Sequence, residues 1–323
     1  MKKNIAIVAG GLSKENAISI KSSETVMSLI DKNLFEVYRI IIDDKGWTAL
    51  LNDKSIPVDK SDFSINFQDK KIKIDFAIII IHGTPGEDGI LQAYFDLLNI
   101  PYSTCGFFES ALTFNKVACK LFLKEYGIIT PKAVLIRKNQ PYNVDEIAKN
   151  IGFPNFVKPN EGGSSFGTSK TNNISELEKA IQLAFNEDNE VIVEEFISGK
   201  EITCGYIETS KSSYVLPPTE IVPKTDFFDY QAKYEGLSDE ITPARLSNDL
   251  INKCQDITKS IYKLLNCKGI VRVDYILRDN VFYFLEINTV PGMSKASIIP
   301  QQAKVAGVDL TKVYTEIIND AIK

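Results

Sequence analysis

Five consecutive apolar residues, Ala77-Ile78-Ile79-Ile80-Ile81, do most to limit what this chain can become. A run apolar at every position offers no face to water, so it reads as a central strand of a parallel sheet covered on both sides. Strands are also expected at Asn4–Ala9 and Glu36–Ile42, short β-rich runs bounded by turn residues. Helices are expected at Asn16–Ile30 and Ile90–Leu98. Such alternation predicts an open α/β sheet that takes ligands at the carboxyl ends of its strands. Gly10-Gly11 and His82-Gly83 both lie at such ends.

A second unit is expected from Cys105 and a third from Ser198, which divides the chain into 1–104, 105–197 and 198–323. The second carries a helix over Ser110–Tyr126, a strand over Pro131–Ile136, a strand over Asn155–Lys158 and a glycine-rich loop over Glu161–Gly167. Helix Ser175–Phe185 and strand Glu190–Phe196 close it. The third has strands near Glu201–Glu208, Gly269–Leu277 and Val281–Ile287, and helices near Leu250–Leu265 and Leu310–Ile322. Between them, Ile221–Arg245 is polar, aromatic and weakly periodic; a stretch that long without clear structure is either disordered or a lid.

Charge narrows the function. There are 37 Lys plus Arg against 42 Asp plus Glu, a net charge of −5, with no basic run. This excludes a nucleic-acid partner, and any anionic substrate must be held by local positive sites. No segment approaches the roughly 20 apolar residues that cross a bilayer. The opening run Ile5–Ala9 leads into Gly10-Gly11 as a first strand and shows no cleavage pattern. Five cysteines without a CxxC pair read as buried thiols in a reducing compartment, so a cytoplasmic protein is expected.

Four clusters carry chemistry. Asp274, with Glu286 and Asn288, falls on expected antiparallel strands; Glu286 and Asn288 are two positions apart and share a face. Three hard oxygen ligands there suit Mg²⁺ that is also held by phosphate, although a solvated acidic face is the alternative. Lys158 ends a strand before Gly162-Gly163-Ser164-Ser165-Phe166-Gly167, whose glycines let backbone N–H groups approach an anion or simply make a turn. The loop is neither GxxxxGK[ST] nor GxGxxG. With Lys116, Lys158 is placed to clamp a polyphosphate from a second side. His82, the chain's one histidine, opens the loop His82–Gly89. Glu15 stands where a helix begins, either to bind an ammonium group or to favour the helix dipole.

Together these stretches resemble the D-alanine–D-alanine ligases over the whole chain. Gly10-Gly11-Leu12-Ser13-Lys14-Glu15 resembles the amino-terminal motif of that family, and His82–Gly89 with Gln92 its HGxxGEDGxxQ stretch. Val157–Gly167 resembles VKPxxxGSSxG, and Tyr230–Tyr234 the DYxxKY lid. Arg272-Val273-Asp274, Leu285–Thr289 and Pro291–Ser294 resemble its carboxy-terminal motifs. The resemblance implies an α/β chain of three domains with the ATP-grasp fold, the amino-terminal one an open parallel α/β domain. It implies ATP as co-substrate, two Mg²⁺ (or Mn²⁺) ions on Asp274, Glu286 and Asn288, and a homodimer. Lys116 and Lys158 would contact phosphates beneath Gly163, Ser164, Ser165 and Gly167. Glu194, Glu195, Phe196, Ile197 and Glu201 would hold adenine and ribose, with Lys233 of the lid also at the nucleotide. Glu15 would bind the first ammonium, with His82 near its carboxylate; Ser297 and Ile298 would receive the second carboxylate. Arg272 and the Gly292 N–H would stabilise the oxyanion, and Ser164, Tyr234 and Glu15 would form a network closing the lid.

Two positions depart from the family pattern. Asn16 stands where many members carry a basic residue, and Glu195 where some carry Lys. Neither touches the metal or phosphate positions. The reaction implied is ligation of two D-alanines through an acyl-phosphate for peptidoglycan precursors, with a D-alanine–D-lactate or another carboxylate–amine ligase of the same fold as the alternative.

Overall fold

The first sheet is built from β1 (Lys3–Gly10), β2 (Phe35–Asp43), β3 (Gly46–Leu51), β4 (Lys54–Asp59), β5 (Ser64–Phe67), β6 (Lys70–Ile72) and β7 (Phe76–Ile79). The computed structural model describes residues 2–52, 54–223 and 238–322. The strand order is β6-β5-β4-β3-β2-β1-β7. β1 pairs in parallel with β2 and β7, which is the open α/β sheet expected. From β2 to β6 the sheet continues as an antiparallel meander. That extension is absent from the sequence reading because its strands are short and half-polar. Asn52, Gln68 and Asp69 take positive φ in its tight turns.

The apolar run Ala77–Ile81 is corrected in one respect: β7 is the last strand of the order, with only an isolated bridge from Ala77 to Tyr102 beyond it. Its burial comes from the layers above and below. Phe76, Ile78 and Ile80 enter one core with Val313, Tyr314 and Ile318 of the helix Leu310–Ala321. Ala77, Ile79 and Ile81 enter another with Leu91 and Phe95 of the helix Ile90–Leu98. An edge strand sandwiched between helices needs an apolar residue at every position, as a central one does.

β8 (Ala133–Arg137), β9 (Asn155–Pro159), β10 (Ser169–Thr171) and β11 (Glu190–Glu195) form an antiparallel sheet in the order β10-β9-β11-β8. Helices Val144–Ile151 and Ile174–Ala184 supply Ile147, Leu177 and Ile181 to its core. The third sheet holds β12 (Lys200–Glu208), β13 (Ser213–Val215), β14 (Thr219–Pro223), β15 (Ser238–Ile241), β16 (Gly269–Arg278) and β17 (Val281–Asn288). Its order is β15-β14-β12-β16-β17, with β13 on β12 and the helix Asn248–Leu264 packed against it.

The expected helix Ser110–Tyr126 is two helices, Phe107–Phe114 and Lys116–Glu125. Asn115 breaks it: its backbone is extended, and its side-chain oxygen accepts the Ala118 N–H at 3.0 Å. A capping asparagine competes well with helix continuation. Cys119 and Leu123 of the second helix join the core of the third sheet, beside Val271 and Val273. Burying a leucine of this kind stabilises by about 2 kcal/mol, enough to hold the helix against the sheet that carries Asp274. Helices Val144–Ile151 and Ile298–Ala306 and strands β13–β15 are further elements beyond the sequence reading. The stretch Ile221–Arg245, read as structureless, starts and ends in strands paired to each other, β14 and β15. Residues 224–237, with Lys233 and Tyr234, lie outside the described residues. The five cysteines are free and buried. No helix among the described residues is long and apolar enough to cross a membrane.

Candidate active site

A cleft of 840 Å³ is lined by residues of the second and third sheets, of the helix Asn16–Leu29 that follows β1, and of the loops around them. One wall is the β16–β17 ladder, in which Asp274 lies opposite Glu286 and Arg272 opposite Asn288. The expected oxygen set is therefore gathered on one face. Asn288 donates to Asp274 Oδ2 at 3.1 Å, and Arg272 grips both Asp274 oxygens at 2.9 and 2.8 Å. Thr203 donates to Asp274 Oδ1 at 2.5 Å. The described residues hold no cluster of three His, Cys, Asp or Glu side chains. Two carboxylates and an amide oxygen fit Mg²⁺, which takes one or two carboxylates and completes its shell with phosphate oxygens and water.

The lysines converge from two elements. Lys116, just past the Asn115 break, is 8% exposed; it donates to Gly162 O at 2.7 Å and lies 3.6 Å from Glu286 Oε2. Its helix start is tied to the glycine loop, because the Val117 N–H donates to Asn160 Oδ1 at 3.0 Å. Lys158, on β9, pairs with Glu194 Oε2 at 2.6 Å. A third cation escaped the sequence reading: Lys120, buried one turn after Lys116, donates to the other Glu194 oxygen. The i,i+4 spacing on one helix face was the signal that could have found it. Glu195, Phe196, Ile197 and Glu201 line the neighbouring stretch of cleft. Glu195 Oε1 accepts the Lys132 N–H at 3.0 Å, and Lys170 lies 4.2 Å over the Phe196 ring.

At the opposite end, Ser164 donates to Glu15 Oε1, joining the glycine loop to the start of the helix Asn16–Leu29. Gly163 permits that approach, since a Cβ there would fall 2.4 Å from Glu15 Oε2. Ser164 and Ser165 take positive φ, 50° and 59°, which turns the loop into the cleft; Gly167 sits behind the turn, against Pro159 and Glu187. Lys14 pairs with Glu187 at 2.7 Å and lies over the Phe166 ring, so the loop is latched on both sides of Ser164.

His82 donates from Nδ1 to Val290 O at 2.9 Å; among the described residues its Nε2 has no hydrogen-bond partner. Burial, above all, lowers its pKa, so the imidazole is held neutral with Nε2 an acceptor. Glu87, in the same loop, accepts the Gly83 N–H at 2.7 Å, and burial with the nearby Glu15 charge pushes its carboxyl up to about 8. Gln92 is fully buried and donates to Gly86 O at 2.6 Å, which makes it a brace for the loop. Gly292 lies next to Ser297, the residue before the helix Ile298–Ala306, whose hydroxyl meets that of Ser294 at 2.8 Å. Ser297 and Ile298 thus present a helix N-terminus to the cleft, a site suited to a carboxylate. Among the described residues, every expected site residue except Gly167 lines this one cleft; Lys233 and Tyr234 lie outside them.

Known proteins match the chain along its length. Residues 4–105 match the family model of the D-ala D-ala ligase N-terminus, and residues 122–319 that of the C-terminus. A D-alanine–D-alanine ligase from Azobacteroides pseudotrichonymphae is 48% identical over 320 residues, covering 98% of this chain and 99% of that protein. Among solved structures, the VanG D-Ala:D-Ser ligase from Enterococcus faecalis superposes with a TM-score of 0.89 at 32% identity, over 99% of this chain and 100% of that one. The D-alanine–D-alanine ligase from Bacillus anthracis complexed with ATP does so at 0.77 and 30%, over 99% and 97%. With both halves matched in order and the motif residues gathered in one cleft, the chain belongs to the D-alanine–D-alanine ligase family, a family of enzymes.

Proposed function

We propose that this enzyme uses ATP and Mg²⁺ to join two D-alanines through a D-alanyl phosphate, in the cytoplasm, as a step toward peptidoglycan precursors. The observation that carries the reading is the approach of Lys116 to Glu286, 3.6 Å, which sets a cation for phosphate beside a carboxylate for metal. The units 1–104, 105–197 and 198–323 would supply the first substrate's site, the phosphate clamp and the metal face. The same reading carries a homodimer, checked by light scattering.

The chemistry asks for this arrangement. A carboxylate and the γ-phosphate are both anionic, and unit charges about 4 Å apart repel by roughly 4 kcal/mol at an effective dielectric near 20. Magnesium on Asp274, Glu286 and Asn288 would screen that charge and polarise the phosphoryl oxygens. Lys116 and Lys158 bind the phosphates, while Glu194, Glu195, Phe196, Ile197 and Glu201 hold adenine and ribose. Glu15, fixed by Ser164, orients the first ammonium, and the neutral His82, near the first carboxylate, accepts at Nε2 from that ammonium. The second carboxylate rests on the helix start at Ser297 and Ile298. The amine of the second D-alanine, freed of its extra proton, attacks the acyl-phosphate carbonyl carbon, and Arg272 with the Gly292 N–H faces the oxyanion that forms. Its collapse breaks the C–O bond to phosphate, which leaves as the nitrogen gives up a further proton to yield the amide. Gly163, Ser164, Ser165 and Gly167 cover the intermediate against water; Lys233 and Tyr234 would complete the cover.

Phosphate release is the test, with D-alanine, L-alanine, D-serine and D-lactate offered singly and in pairs. Release that depends on D-alanine and yields the dipeptide is expected. A product that is mainly D-alanyl-D-lactate or D-alanyl-D-serine would replace the second substrate, and release indifferent to D-alanine would overturn the reading.

A further inference from the structure

Glu194 is buried, its side chain 3% exposed, and it carries two ammonium groups, one on each carboxylate oxygen: Lys158 at 2.6 Å and Lys120. The three come from separate elements, β11, β9 and the helix Lys116–Glu125. Lys120 is 4% exposed and lies away from solvent, whereas the Lys158 side chain is 14% exposed, and it and Glu194 line the cleft. A carboxylate this deep cannot be left with no counter-charge, since removing one partner of a buried pair leaves the other charge uncompensated. If Glu194 had Lys158 alone, a nucleotide phosphate that drew Lys158 away would strand the carboxylate, and that cost would come out of the binding affinity.

We propose that Lys120 is a positioning residue for the nucleotide: it stays on Glu194 and neutralises it, and so frees Lys158 to leave that carboxylate for a phosphate. The inference deepens the phosphate role of Lys158 proposed above and rests on it. The geometry of the site agrees. Lys120 shares a helix with Lys116, and that helix is anchored in the core of the third sheet through Cys119 and Leu123, so Lys120 cannot follow Lys158.

The experiment is calorimetric titration of the full-length enzyme with a non-hydrolysable ATP analogue and Mg²⁺. The variants are Lys120→Met, Glu194→Gln, their double mutant and Lys158→Met. Lys120→Met is expected to weaken binding by about tenfold or more, but by less than about threefold in the Glu194→Gln background, where no charge needs neutralising. The KM for D-alanine should move less than about twofold, which a general loss of structure would not allow. An equal cost in both backgrounds, or wild-type affinity in Lys120→Met, overturns the inference while Lys158→Met still binds weakly. Wild-type affinity in Lys158→Met overturns the phosphate assignment itself, and the inference with it. If Lys120→Met fails to fold, the double mutant is compared with Glu194→Gln: equal affinity supports the inference, and a further tenfold loss overturns it.

Discussion

Ser164 and Glu15 are 149 residues apart in sequence and share a buried hydrogen bond, hydroxyl to carboxylate, in the wall of the cleft, where we propose that the first substrate binds. The bond fixes which way the carboxylate points. Ser164→Ala is expected to lower kcat/KM for D-alanine by about a hundredfold through misplaced substrate, with a smaller change in the KM for ATP. Steady-state phosphate release decides it; an unchanged kcat/KM would show that Glu15 is oriented by other contacts.

Gly163 makes a second prediction, because the crowding there is local. A methyl group would meet Glu15 Oε2 at 2.4 Å and its carboxyl carbon at 3.1 Å, so the carboxylate must swing off its bond with Ser164. The far end of one side chain must shift, while the backbone is untouched. Gly163→Ala should raise the KM for D-alanine by about tenfold and move Tm by only a few degrees. A collapse of Tm with an unaltered KM would contradict it.

For Glu286→Gln, loss of activity without loss of fold is expected. The side chain is 28% exposed, so the amide is tolerated, but one charge leaves the proposed metal face and the Lys116 ammonium loses the carboxylate it approaches. Activity should fall by about a hundredfold or more. Saturating Mg²⁺ should not restore it, and thermal melting should match the parent; turnover restored by added Mg²⁺ would move the metal site elsewhere.

Glu87 gives a pH prediction. Its carboxyl is raised from 4.5 to about 8 in the fold. Below the unfolded value both states are protonated, and nothing is lost. As pH rises from there toward 8, the unfolded chain ionises while the folded one keeps its proton, so stability falls; above 8 the loss levels off. Glu87→Gln removes the ionisation, and its Tm advantage over the parent should grow between pH 5 and 8. Melting curves across that interval test this, and a difference independent of pH would refute it.

Much of the site was legible because its chemistry is local. Lys158 ends a strand and is followed by glycines, Glu286 and Asn288 alternate on one strand, and His82 opens a tight loop; each statement needs only a few neighbouring residues. That Asp274, Glu286 and Asn288 share one face followed from two antiparallel runs, while the ladder supplies the register that sets Asp274 opposite Glu286. Helix Ile90–Leu98 was read to the residue, since its apolar spacing is strong.

What the sequence determined by itself, then, is the set of reactive side chains, their order and the strand or loop that bears each, because periodicity and turn chemistry act over a few residues. Tertiary structure decided the rest. The meander β3–β6 exists because a sheet edge accepts short half-polar strands, and the edge position of β7 because helices on both faces supply the burial that a central place would have supplied. Asn115 ends one helix and caps the next only because the Asn160 loop receives the new helix start. Lys120, an ordinary helical lysine in sequence, becomes the counter-charge of a buried glutamate because β9, β11 and its own helix meet there. Burial of a charge is a property of the assembled surroundings, and no local pattern in the chain encodes it.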